Sequence, residues 1–63
     1  MNKFIKLHVI DNDTIVIDYV NINQILKVYM DNNNVHVKLV NGEVLKLKDE
    51  NLDVFMDRFH FTK

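Results

Sequence analysis

The chain has no cysteine, proline or tryptophan and a single glycine, Gly42; serine and alanine are absent as well. Without cysteine there is no disulfide and no thiolate for a metal or a substrate, which fits a reducing compartment. The missing serine and cysteine nucleophiles and the missing glycine-rich phosphate loop leave no catalytic or cofactor motif to build. No apolar run is long enough to span a bilayer. The start, Met1-Asn2-Lys3-Phe4, leads into an alternating strand pattern where a secretory signal would show an apolar stretch, so a cytoplasmic protein without membrane insertion is expected. An excess of one charge is lacking too. Eight Lys and Arg against nine Asp and Glu give a net charge of -1, so no bulk basic charge drives the chain onto nucleic acid.

What is present is apolar and β-prone. Hydrophobic residues make up 48% of the 63 positions, which excludes a disordered chain. Residues 1–63 read as one small domain. At this size folding removes only about 60% of the surface exposed by the unfolded chain, so a partner subunit would add stability. Abundant Asn, Lys, Ile and Asp match AT-rich coding, as in low-GC bacteria and their phages.

The period of the apolar residues is two as far as Lys48 and close to 3.6 beyond it. The clearest signal spans 35–48, two alternating runs hinged on Asn41-Gly42, a strong hairpin dipeptide. A two-residue loop there would set Val37 against Lys46, which reverses the faces. A three-residue loop, Val40-Asn41-Gly42, with Gly42 at the left-handed position of a bulge, pairs Leu39 with Glu43, Val37 with Leu45 and Val35 with Leu47. The second hairpin joins 25–30 to 35–40 through the turn 31–34, aligning Met30 with Val35, Val28 with Val37 and Leu26 with Leu39. In the first hairpin a three-residue loop, Asp11-Asn12-Asp13, pairs Ile10 with Thr14. That register puts Ile5, Leu7 and Val9 on one face with Ile15, Ile17 and Tyr19, and Lys6 across from Asp18. Asn21 is expected to cap a short turn at 22–24. Asp49 reads as the N-cap of a helix whose apolar stripe is Leu52, Phe55, Met56 and Phe59, with Asp53 and Asp57 outside and Arg58 in the last turn. The expected fold is α+β: a five-stranded antiparallel meander, curled or partly barrel-like, with one C-terminal helix packed on one face.

The order Ile5-Lys6-Leu7, Val20-Asn21 ahead of Ile25, the run from Val37-Lys38-Leu39-Val40-Asn41-Gly42 through Glu43-Val44-Leu45, and Lys48-Asp49-Glu50 opening a helix resembles the small FlbD-like flagellar and swarming-motility proteins. The likeness covers almost the whole chain. It implies a small cytoplasmic protein that supports motility and is not an enzyme. The stretch 22–61 also looks like part of a LytTR DNA-binding domain, although the loops here are Asp- and Asn-rich where that family carries basic ones.

The three histidines, His8, His36 and His60, are scattered without metal-ligand spacing, and no metal or other cofactor is expected. Asp11-Asn12-Asp13 starts like a calcium loop but lacks the later Gly and Glu that close one. Asp11, Asp13 and Asp31 read as turn residues, and no carboxylate occupies an expected core position. One surface stands out: Lys27, Tyr29, His36, Lys38, Lys46 and Lys48 share the outer sheet face, which is either a merely solvated face or an interaction face for an acidic protein surface. Apolar residues also reach that side, and Ile25, Val40 and Val44 are expected to form a subunit interface. The leading reading is a non-catalytic protein that self-associates and binds another protein. The competing class is a nucleic-acid or nucleotide-binding module on the same basic face.

Overall fold

A computed structural model describes residues 3–59, the last by its backbone alone. The expectations for the Phe59 ring, for His60 and for the tail to Lys63 lie outside the described residues. The elements follow in the order β1 (Phe4–Asp11), β2 (Thr14–Asn21), a 3₁₀ turn (Ile22–Gln24), β3 (Ile25–Asp31), β4 (Asn34–Leu39), β5 (Val44–Lys46) and α1 (Leu52–Phe59). Antiparallel strands and a C-terminal helix are as expected. The continuous meander is not. β1 and β2 form one sheet, β3, β4 and β5 another, and β2 does not pair with β3. A single bridge, Val9 to Leu47, and the bond from Lys48 N to His8 O at 2.9 Å join β1 to the end of β5. The spatial order is therefore β2-β1-β5-β4-β3, with no closed barrel.

Turn chemistry accounts for the registers. Asn12 and Asp13 have φ of 50° and 63°, and Asn32 and Asn33 have φ of 51° and 66°, so both hairpins turn on two residues in the left-handed region, a geometry whose twist matches that of the strands. Asn and Asp tolerate it because their short side chains bond locally. In the second hairpin Asp31 pairs with Asn34, and Met30, Val28 and Tyr29 oppose Val35, Val37 and His36 as expected. In the first, the two-residue turn pairs Asp11 with Thr14 and moves β2 by one residue from the expected register. Lys6 now faces Tyr19, and Leu7 faces Asp18. Ile15, Ile17 and Tyr19 leave the core side and are 43%, 55% and 62% exposed. β2 tolerates this because only its Val20 end lies over the core, leaving Val16 and Asp18 uncovered.

A second correction is the bulge between Ile25 and Lys27. The extra residue turns Leu26 out to solvent, and Ile25 packs half-buried against the core in its place. The turn after β4 is the expected one. Leu39 N donates to Glu43 O, Gly42 N donates to Leu39 O, and Gly42 has φ of 94°. A Cβ added at Gly42 meets no atom within 4 Å, so its cost is conformational only. Gly42→Ala should therefore destabilise by about 1 kcal/mol, read as a lower denaturant midpoint with unchanged slope.

The helix begins later than expected. Asp49 has φ of 53° and lies outside it, while Asn51 caps it by accepting from Val54 N through Oδ1 at 3.2 Å. Its inner stripe closes the core. Phe55 is fully buried with Leu7, Leu47, Val35 and Val37, and Leu52 and Met56 pack half-buried around them.

Candidate interaction face

The strands alternate sides, so burial of Val35, Val37, Leu45 and Leu47 sends His36, Lys38, Lys46 and Lys48 to the opposite face. Cross-strand pairs Lys27 with Lys38, Tyr29 with His36 and His36 with Lys46 place them side by side. All six residues expected on this face are on it. The Tyr29 and His36 rings stack with centroids 5.3 Å apart and planes 12° apart, and Lys27 Nζ lies 5.0 Å from the centre of the Tyr29 ring. His36 Nε2 is also 3.3 Å from the Asp31 carbonyl oxygen. These contacts place a stacked aromatic pair among the lysines.

The structure adds Lys6 and His8. The shifted register removes Asp18 from Lys6, and the β1–β5 junction sets His8 beside Lys48, extending the basic surface onto β1. The signal was available in Asn12-Asp13, a dipeptide able to occupy both left-handed positions of a two-residue turn.

Most carboxylates lie elsewhere, although Asp31, the last residue of β3, shares the side of Lys27 and Tyr29. Asp11, Asp13, Asp31 and Glu43 sit at hairpin ends, Asp18 on the other side of β2, and Asp49, Glu50, Asp53 and Asp57 on the helix and its approach. Among the described residues of the face only Lys48 makes an ion pair, with Asp49 at 2.7 Å, and it is exposed. Neighbouring like charges such as Lys27 and Lys38 are mildly destabilising for the fold itself. A near-neutral chain thus has one strongly positive side. On the other side Arg58 pairs with Glu50 at 2.8 Å, and Asp53 and Asp57 stay exposed.

Of the expected subunit-interface residues, Val40 and Val44 are 53% and 45% exposed, whereas Ile25 is engaged with the core. The exposed apolar surface is greater on β2, where Ile15, Ile17 and Tyr19 stand with Phe4 of β1. A cleft of about 230 Å³ opens where β1 diverges from β5, lined by Val9, Val16, Asp18, Glu43, Val44 and Lys46 among others. It is smaller than the roughly 300–1,000 Å³ of typical small-molecule sites. Among the described residues no group of three or more His, Cys, Asp or Glu is placed to hold a metal ion, and no helix is long and apolar enough to cross a membrane. Compared with known proteins, the chain matches no family model, no curated protein and no solved structure.

Proposed function

We propose that this chain is a non-catalytic interaction module that self-associates and binds an acidic protein surface through Lys27, Tyr29, His36, Lys38, Lys46 and Lys48. The observation that carries the reading is the segregation of charge, with lysines gathered on one sheet face and most carboxylates at the turns, on the helix or, for Asp18, on the opposite side of β2. Complementary potentials of this kind speed encounter and select partners. The protein class is favoured over nucleic acid because Tyr29, the tyrosine among these six residues, is already stacked on His36. A base would have to displace that contact. The motility setting comes from the resemblance to FlbD-like proteins, and a cytoplasmic location goes with it.

A labelled poly-glutamate peptide and a single-stranded DNA oligonucleotide of similar charge serve as probes in a fluorescence-anisotropy titration. The peptide is expected to bind at low salt and weaken as salt rises. The double variant Lys38→Glu, Lys46→Glu should lose about tenfold or more in affinity while keeping its circular dichroism spectrum. Tighter binding of the oligonucleotide, with a steep salt slope, would move the protein to the nucleic-acid class.

A further inference from the structure

Among the described residues no strand pairs with the outer edge of β2. In an antiparallel pair, opposed residues alternate between exchanging both backbone hydrogen bonds and exchanging none. The bond from Ile22 N to Lys3 O, 2.8 Å, sets the phase for the register that closes on Asp11 and Thr14. Thr14, Val16, Asp18 and Val20 direct their N–H and C=O groups at β1, so Ile15, Ile17 and Tyr19 direct theirs at the free edge.

Natural sheets protect such edges with lysine, proline, bulges or a covering element. β3, the other outer strand, has these defences: a bulge at Leu26, then Lys27, and α1 lying against it. β2 has none. It runs eight residues in unbroken register without lysine, proline or glycine, and its outward-bonding residues are the exposed apolar ones.

We propose that β2 pairs antiparallel with β2 of a second copy about a two-fold axis at Ile17. This rests on the reading that the chain self-associates, and it names the element responsible. The register follows from the phase. An axis at Ile17 sets Ile15 against the partner's Tyr19 and Ile17 against the partner's Ile17, so every outward-facing group of those residues is bonded, and Val16 opposes the partner's Asp18. An axis at Asp18 would press two like charges together at a closely spaced position. An axis at Val16 would run Tyr19 onto the turn residue Asp13 of the other copy. With the axis at Ile17, Ile15, Ile17 and Tyr19 of both copies form one apolar seam. Because the axis is perpendicular to the joined sheet, the two cationic faces lie on the same side of it, a bivalent surface for an acidic partner.

Sedimentation at micromolar concentrations measures the association, and cysteine cross-linking locates it, since the native chain has no cysteine. The wild type should dimerise. Ile17→Lys, at an exposed position, should stay folded and weaken the dimer about tenfold or more by opposing two charges. Ile17→Cys should link two copies through a short bifunctional thiol reagent, because opposed residues of a bonded pair lie about 5.5 Å apart at Cα. Ile15→Cys should not, since its two copies would lie four residues apart along the strands. A wild type that stays monomeric overturns both this inference and the self-association reading. A dimer in which Ile17→Cys cross-links no faster than Ile15→Cys, or which survives Ile17→Lys, overturns the β2 edge alone.

Discussion

Phe55→Ala is expected to unfold the domain. The Phe55 ring is fully buried, and it is the helix side chain that enters the centre of the core among Leu7, Leu47, Val35 and Val37. Removing a buried phenylalanine costs roughly 3–5 kcal/mol, the lost transfer energy plus a cavity that the surroundings fill only in part. A chain of this length has about 3–9 kcal/mol to lose. The helix has eight residues, too few to persist in water without this contact. The variant should therefore lose its far-ultraviolet helix signal and its cooperative thermal transition. Asp57→Ala, on the exposed side of the same helix, should leave both nearly unchanged. If Phe55→Ala keeps a cooperative transition within a few degrees of the wild type, the helix is not holding the core together.

Leu47→Ala should cost about 2–5 kcal/mol, and its effect should not stop at the second sheet. Leu47 is fully buried, and its backbone both bonds to Val35 O and forms the bridge to Val9 that joins the two sheets. Beyond that bridge, β1 and β5 diverge to form the cleft. Loosening residue 47 should raise amide hydrogen exchange along β1 as well as β4, although β1 is more than 30 residues away in the chain. Faster exchange confined to β4 and β5 would mean that the sheets are stabilised separately.

The parts of this fold legible in the residues are those where turn chemistry and apolar pattern agree. Gly42 after Asn41 allowed one register that kept Val37 and Leu45 together, and the structure has it. For the first hairpin the two signals conflict. The larger apolar set, Ile15, Ile17 and Tyr19, argued for a three-residue loop, but Asn12-Asp13 makes a tight two-residue turn, and the turn decides because most of β2 extends past the core. Leu26 followed the pattern of its strand until a bulge, a backbone event without a glycine to mark it, exchanged it for Ile25. The helix start was misplaced between two good capping residues, Asp49 and Asn51, of which the one nearer the apolar stripe caps. The six residues share their face because it depends on β3 from Lys27 onward, β4 and β5, whose pairings are those expected once the bulge at Leu26 is passed. Its extension to Lys6 and His8 depended on the first hairpin and on the β1–β5 junction, a long-range pairing that no local pattern encodes.

The claim that this face is the working surface of the protein is tested most directly by mapping backbone amide shifts while the poly-glutamate peptide is titrated in. The largest changes should fall on Lys27, Tyr29, His36, Lys38, Lys46 and Lys48, spread to Lys6 and His8, and disappear at high salt. Changes centred on α1 or on the cleft between β1 and β5, or none at any peptide concentration, would contradict it.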